Sequence, residues 1–306
     1  MGQCPQQQGT RPVKIAIASG KGGTGKTTLA VNLAVMAAEI GRSVAYVDCD
    51  VEEPNGHLFL RPKIANQSPV HLLIPRILED ACNECGLCAQ ACLYSALVWL
   101  GNKPLVFPEL CHGCGACLHA CPVHAILEEP REIGMVETGA ADEVRFVHGR
   151  LKIGEAMSPP VIRDVRRAMP DVEWRILDAP PGTSCPVVTA VRGCDLVILV
   201  TEPTPFGLHD LKLAVETMRQ LGLPFGVVIN RADAGDDRVM RYCEAENVPV
   251  FMSIPDDRRV AEAYSRGEMM VEAIPDYREQ FERLWKRIEK AVATKAGEEE
   301  ATHANL

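Results

Sequence analysis

Residues 13–28 read VKIAIASGKGGTGKTT, and this stretch decides the fold. A continuous apolar run of strand length, residues 13–19, comes first, and a helix-like stretch, residues 27–39, follows the glycines. Between them GKGGTGKT, residues 20–27, fits the pattern G-x-x-x-x-G-K-T. A glycine-rich loop in that position lets backbone N–H groups and the positive end of the helix surround a phosphate chain. The sequence therefore predicts a phosphate-binding loop.

The side chains of this loop suit a nucleoside triphosphate. Lys26 is placed to reach the outer phosphates, and the Thr27 hydroxyl is placed to hold Mg²⁺. The residues that we expect to bind the nucleotide here are Gly20, Gly22, Gly23, Thr24, Gly25, Lys26, Thr27 and Thr28.

Apolar runs of strand length recur outside the loop. They occupy residues 43–48, 174–178, 195–201 and 225–230, and segments such as 208–221 are long enough for crossover helices. Strands that are apolar throughout and alternate with helices predict an α/β fold, a doubly wound and mostly parallel sheet covered on both faces. Gly149 and Gly154 further suggest a hairpin over residues 146–155.

Eight of the 13 cysteines lie in two runs that interrupt this alternation. The runs are Cys82-x2-Cys85-x2-Cys88-x3-Cys92 and Cys111-x2-Cys114-x2-Cys117-x3-Cys121, and the second repeats the first 29 residues later. Thiolates at this spacing are typical of iron-sulfur proteins, in which the fourth cysteine of each run ligates the other cluster. The pattern therefore predicts one cluster on Cys82, Cys85, Cys88 and Cys121, and another on Cys92, Cys111, Cys114 and Cys117.

Zinc is the competing metal, because paired C-x2-C motifs also make tetrahedral sites. Three cysteines at two-residue gaps followed by one at three, twice over, favour cubane clusters. Spacing alone leaves open whether one cluster is 3Fe-4S rather than 4Fe-4S. Leu93 stands where Pro122 follows the second run, which is a departure from the repeat but not from the ligand set.

The cysteine segment predicts an insertion into the nucleotide-binding domain. We expect a bacterial-type α+β ferredoxin domain at residues 65–129, flanked by the two parts of a P-loop domain at 1–64 and 130–296. About sixty residues bury too little surface to be stable alone, so two clusters would act as the missing core. Residues 297–306 read as a disordered acidic tail.

Composition excludes several functions. A net charge of -9 and a pI near 5.5 argue against a nucleic-acid partner, since phosphate backbones are bound by clustered Lys and Arg. The sequence has no apolar run long enough to span a membrane, and residues 1–12 are polar without a signal-peptide core. We therefore expect a cytoplasmic protein whose cysteines are metal ligands or free thiols.

Several motifs together resemble the MinD/ParA class of ATPases, which includes the nitrogenase iron protein and the Mrp-type cluster carriers. Lys21 ahead of Gly22 and Gly23 is similar to the deviant phosphate loop of that class. The other matching segments are VDCDVEEPN at 47–55 (first switch), DAPPGT at 178–183 (second switch), and VINR at 228–231 with SIPDD at 253–257 (base binding). The chain most resembles the subgroup with an inserted two-cluster 4Fe-4S ferredoxin domain.

The resemblance implies roles for individual residues. Lys21 would cross the interface of an ATP-dependent homodimer, Asp50 would orient the attacking water, and Asp178 would assist Mg²⁺ through water. The implied catalytic residues are Lys21, Lys26 and Asp50, the Mg²⁺ residues are Thr27, Asp50 and Asp178, and the base-binding residues are Asn230, Arg231, Pro255 and Asp256. Two roles remain open for Asp48: it could cap backbone N–H groups at the end of a strand, or it could take part in magnesium binding. Residues 230–233 also resemble a guanine-reading pattern, but the class favours ATP.

Three functions are compatible with this combination. The first is an ATP-operated switch that couples nucleotide state to two 4Fe-4S clusters for electron transfer. The second is an Mrp-like iron-sulfur cluster carrier, and the third is a redox-sensing regulatory or positioning ATPase. The first two require an unidentified redox or cluster-acceptor protein as partner.

Overall fold

A computed structural model describes residues 11–101 and 103–303, with side chains up to residue 294. The strands are β1 Val13–Ala18, β2 Val44–Asp48, β3 Lys63–Ile77, β4 Leu97–Leu100, β5 Lys103–Val106, β6 Ile126–Ala141, β7 Val144–Leu151, β8 Trp174–Asp178, β9 Leu196–Thr201, β10 Phe225–Ile229 and β11 Val250–Ser253. The helices are α1 Lys26–Glu39, α2 Gly56–Leu60, α3 Leu87–Gln90, α4 Ala116–Ala120, α5 Ser158–Arg167, α6 Cys185–Val191, α7 Pro205–Gln220, α8 Arg238–Ala245, α9 Arg258–Ser265, α10 Met270–Ala273 and α11 Pro275–His303.

Nine of these strands form one sheet in the order β11-β10-β9-β1-β8-β2-β7-β6-β3. Neighbours from β11 to β7 pair in parallel, whereas β6 is antiparallel to both β7 and β3. Alternate residues of β1 enter opposite cores, with Ile15 and Ile17 on one face and Ala16 and Ala18 on the other. Burial on both faces explains why the strands are apolar throughout. The predicted mostly parallel, doubly wound α/β sheet is confirmed.

The helix α11 closes one face of the sheet. Its residues Phe281, Leu284, Trp285 and Ile288 are buried in the core, and Trp285 packs edge-on against Trp174 at 4.7 Å between ring centroids. The helix continues to His303, beyond residue 296, where we expected the disordered tail to begin. Residues 304–306 of that tail and residues 1–10 of the polar N-terminal segment lie outside the described residues.

The cysteine segment lies at the far end of a two-stranded arm. β3 and β6 pair over their whole length, from Lys63 opposite Ala140 to Ile77 opposite Ile126, and residues 78–125 follow the latter end. Those residues contain α3, α4 and the β4/β5 hairpin around a small core of Cys88, Leu97, Cys121, Ala125 and Ile126. Since β6 also pairs with β7, the arm is a direct extension of the main sheet.

The prediction of a hairpin at residues 146–155, which was based on the glycines, is wrong. β7 continues through Gly149 and pairs with β6, and the turn between the two strands contains Asp142 in the left-handed region at φ 47°. Gly149 is required for packing instead, because a Cβ there would lie 2.5 Å from Val165 and 2.6 Å from Val51. Among the described residues, no helix is long and apolar enough to cross a membrane.

Candidate functional site

The phosphate loop connects β1 to α1 at the carboxyl end of the central strand. Gly25 adopts φ 95°, which L side chains rarely reach, and α1 begins at the next residue, Lys26. Gly20 has no room for a side chain, because a Cβ would overlap the Asp210 carbonyl group on α7. The local geometry therefore requires glycine at both positions. The N-terminus of α1 faces the loop.

A cavity of about 480 Å³ lies against this loop. It brings together residues that are far apart in sequence: Gly22, Gly23, Gly25, Lys26, Thr27, Thr28, Asp50, Asn230, Arg231, Pro255 and Asp256. Asn230 is hydrogen-bonded to the phosphate loop, since its side-chain amide donates to the Thr24 carbonyl oxygen at 2.9 Å. Most of the residues expected to bind nucleotide therefore surround one volume, which suits a nucleotide.

Lys21 does not line this cavity. Its ammonium group pairs with Glu202 at 3.0 Å, and the same carboxylate accepts from Arg231 at 3.2 Å. Sequence reasoning missed Glu202, which directly follows β9 and is 8% exposed. Its position after a buried parallel strand was the available signal, because the carboxyl ends of parallel strands meet at the ligand-binding edge.

Asp48 and Asp178 lie side by side at this edge, at the ends of β2 and β8. Asp48 accepts backbone N–H groups from Asp50 and Gly56, each at 3.1 Å, so it anchors both ends of the first switch loop. These are the capping contacts that were one of the two expectations for Asp48. The Tyr46 hydroxyl lies between the carboxylates, 2.9 Å from Asp178 and 3.2 Å from Asp48. Sequence reasoning also missed this tyrosine.

Burial makes the acidic groups of the site hard to ionise. It raises the pKa of Asp178, although the Thr27 hydroxyl and the Lys26 ammonium lower it. Burial and the charge of Asp178 raise the pKa of Asp50 to about 7, with Lys26 acting in the opposite direction. The buried Oδ1 of Asp178 has no well-formed hydrogen bond. A divalent cation would relieve this repulsion and satisfy that oxygen, so the residues fit Mg²⁺.

Replacing Asp50 by Asn is expected to stabilise the nucleotide-free protein. A folded-state pKa of about 7, well above that of an exposed carboxyl, means that Asp50 makes a progressively more destabilising contribution to the fold as pH rises toward 7. Asn cannot ionise, so the thermal midpoint of the variant should exceed that of the parent by a few degrees at about pH 8 and by less at about pH 5.

The matched control is Asp236→Asn. Asp236 is exposed, and its pKa is lowered to about 2 mainly by its hydrogen bonds with Arg238. This substitution should give no gain at either pH. An equal shift of the Asp50→Asn midpoint at both pH values would contradict the assignment of the effect to ionisation.

The cysteines of the two runs surround two small cavities. Cys82, Cys85, Cys88 and Cys121 line one of them, and Cys92, Cys111, Cys114 and Cys117 line the other. Each cavity thus takes three cysteines from one run and the fourth from the other. Backbone N–H groups of Gly113 and Ala125 donate to the sulfurs of Cys111 and Cys121, at 3.4 and 3.2 Å.

This donor set suits iron-sulfur clusters, which require four thiolates and are tuned by N–H groups at the sulfurs. A single metal ion has no such site, because within the described part of the chain no group of three or more His, Cys, Asp or Glu side chains is arranged to hold one. Among the other described cysteines, Cys49, Cys194 and Cys243 are buried and Cys185 is exposed at the start of α6. Cys4 lies outside the described residues.

A strand, phosphate loop and helix at the centre of a mostly parallel sheet define a P-loop nucleotide-binding protein. Residues 15–271 match the model of the CobQ/CobB/MinD/ParA nucleotide binding domain. The chain belongs to this family, and the expected membership of the MinD/ParA class is confirmed.

Similar proteins support the same conclusion. An uncharacterised protein of Methanocaldococcus jannaschii is 30% identical over 83% of this chain and 90% of its own length. An iron-sulfur cluster carrier protein of Pyrococcus abyssi is 24% identical over 83% of this chain and 77% of its own. The septum site-determining protein MinD of Pyrococcus horikoshii, complexed with Mg-ADP, has the same fold at TM-score 0.59 and 22% identity, covering 93% and 98% of the two chains.

Proposed function

We propose that this protein is an ATP-hydrolysing switch whose nucleotide state acts on two 4Fe-4S clusters used for electron transfer. The proposal places a ferredoxin-type domain at residues 65–129, between the two parts of the nucleotide-binding domain, 1–64 and 130–296. The observation that carries it is the arm of β3 and β6, which joins the cysteine segment to the sheet that bears the phosphate loop.

The nucleotide half has the groups that phosphoryl transfer needs. Lys26, which is 6% exposed, would bind the outer phosphates together with the backbone of the loop. Thr27 and Asp178 would hold Mg²⁺, which supplies positive charge opposite the leaving phosphates when bound. Asp50, which also lines the cavity, would position the attacking water. Asn230, Arg231, Pro255 and Asp256 lie across the cavity, where the base would bind.

Lys21 requires a rearrangement to act in this scheme. In the single chain it is paired with Glu202, so it points to neither the cavity nor a partner. A second copy bound across the nucleotide would compete with that carboxylate for the lysine. An ATP-dependent homodimer is therefore part of the proposal, and the Lys21–Glu202 pair is the contact that dimer formation replaces.

The cysteine segment has the groups that hold electron-transfer clusters. Four sulfurs line each cavity, and apolar side chains such as Leu97 and Ile126 lie beside them, which limits water. When bound, the clusters would supply one-electron redox steps at potentials set by this environment. The protein would hold the sulfurs and limit the access of water to the clusters.

Backbone contacts connect the first switch loop to the arm. The Leu151 N–H at the end of β7 donates to the Val51 carbonyl oxygen in the switch loop at 2.8 Å. The N–H of the next residue, Lys152, donates to the Ile133 carbonyl oxygen of β6 at 2.9 Å, and β6 begins directly after the cysteine segment. Movement of the switch loop on hydrolysis would therefore act on a strand that is joined directly to the cysteine segment.

Cluster delivery is the alternative function. It is supported by relatives named as iron-sulfur cluster carriers and by the exposure of one cysteine at each cavity, Cys85 and Cys114. A carrier passes its cluster to an apo acceptor, whereas a redox module retains both clusters through many turnovers. Four cysteines line each cavity, which would be enough to hold a whole cluster, and this favours retention.

Anaerobic isolation tests the proposal most directly. We expect about eight iron atoms and about eight acid-labile sulfides per chain, and an electron spin resonance signal of the reduced protein that changes between ATP and ADP. Incubation with an apo-ferredoxin should leave the iron with this protein. About two zinc atoms per chain would contradict the cluster assignment, and transfer of iron to the acceptor would favour the carrier.

A further inference from the structure

Tyr46 is a buried polar residue within an otherwise apolar strand. It is fully buried in β2, and its ring stacks on Phe146 at 5.8 Å between centroids. Gly56, the first residue of α2, leaves room for the hydroxyl, because a Cβ at that position would overlap it. The ring is therefore held from two sides, and the hydroxyl has one position available to it.

That position is between the two carboxylates that organise the nucleotide site. The hydroxyl lies 2.9 Å from Oδ2 of Asp178 and 3.2 Å from Oδ2 of Asp48. Asp48 in turn accepts the N–H groups of Asp50 and Gly56. One phenol thus connects the second switch, at Asp178, with both ends of the first switch loop.

We infer that Tyr46 is a positioning residue for the nucleotide reaction, which rests on the proposed ATP hydrolysis. Its hydroxyl occupies Oδ2 of Asp178 and so leaves Oδ1 available for the hydrated cation. It also holds Asp48 in the orientation that accepts the switch-loop N–H groups. Without the hydroxyl, Asp178 and Asp48 lose the hydrogen-bond partner that they share. The contact that fixes the two switches relative to each other is then lost.

A purely structural role makes a different prediction. A buried phenol needs a partner, and losing that hydrogen bond lowers stability whatever the function. A structural role would leave the effect of Mg²⁺ on nucleotide binding unchanged. A positioning role weakens that effect, because the carboxyl that assists the cation is no longer held in one orientation.

The test is Tyr46→Phe, which retains the ring and removes only the hydroxyl. ADP affinity is measured with Mg²⁺ and with chelator, and hydrogen exchange is measured over residues 49–56. We expect the gain in affinity due to Mg²⁺ to fall by about tenfold and the switch loop to exchange faster. Tyr242→Phe is the matched control, because that ring lies on α8, outside the nucleotide cavity.

A second variant separates positioning from general loosening. Asp48→Asn should produce the same two changes, and the double variant should add little to either single one, since both act through one hydrogen-bonded unit. If the gain in ADP affinity due to Mg²⁺ is unchanged in Tyr46→Phe, the inference is overturned, whether or not the switch loop exchanges faster. These readouts need no hydrolysis, so a parent protein without ATPase activity would disprove the proposed function and still leave Tyr46 tested.

Discussion

Replacing Lys26 by alanine is expected to lower ATP hydrolysis by about a hundred- to a thousandfold. Lys26 lines the cavity at the start of α1, where its ammonium group would face the outer phosphates of a bound nucleotide. Its charge also lowers the pKa of Asp50 and of Asp178, so its loss leaves two buried carboxylates less compensated. Nucleotide binding and the turnover number should both fall, as measured by equilibrium binding and by phosphate release.

The same variant tests whether the two halves of the molecule communicate. Because Lys26 lies outside the cysteine segment, the iron and sulfide content should equal that of the parent. The change in electron spin resonance signal between ATP and ADP should disappear. Lys212→Ala, which removes an exposed lysine of α7, is the control and should retain both properties. If the variant lacks ATPase activity but keeps every nucleotide-dependent property of the clusters, the nucleotide site and the cysteine segment are not coupled.

The parts of the site that could be predicted from the sequence are those formed by residues that are adjacent in the chain. The phosphate loop is contiguous, and its glycines and lysine follow from the backbone conformation and charge that a phosphate requires. The cysteine runs are equally local, because three sulfurs of each set come from one short segment. Fold class followed from the strands, since full burial on both faces leaves a continuous apolar run in the sequence.

The parts that were missed depend on register across the sheet. Tyr46 is one aromatic residue in an apolar strand, and such a residue is usually part of the core. The role that we infer for it depends on the register of β2 and β8, which places Asp48 beside Asp178. Glu202 likewise forms its ion pairs with Lys21 and Arg231, which are distant in sequence. The hairpin prediction failed for a related reason, since Gly149 serves close packing rather than a turn.

The crossed arrangement of the cysteines predicts a difference between two double variants. Cys85→Ala with Cys121→Ala removes two sulfurs from one cavity, and the other cavity keeps all four. This variant should retain about four iron atoms and one unaltered cluster signal. Cys114→Ala with Cys121→Ala instead removes one sulfur from each cavity, so no unaltered cluster should remain in the reduced protein.

The comparison works because each variant removes the same number of thiolates. Cys185→Ala, which removes an exposed cysteine outside both cavities, should keep about eight iron atoms. If the cysteines were grouped by run, the results would be reversed, since Cys114 and Cys121 would then belong to one cluster. The crossed outcome would also mean that neither run can assemble a complete site alone. Both clusters would then depend on the packing of α3 against α4, the two short helices that bring the runs together.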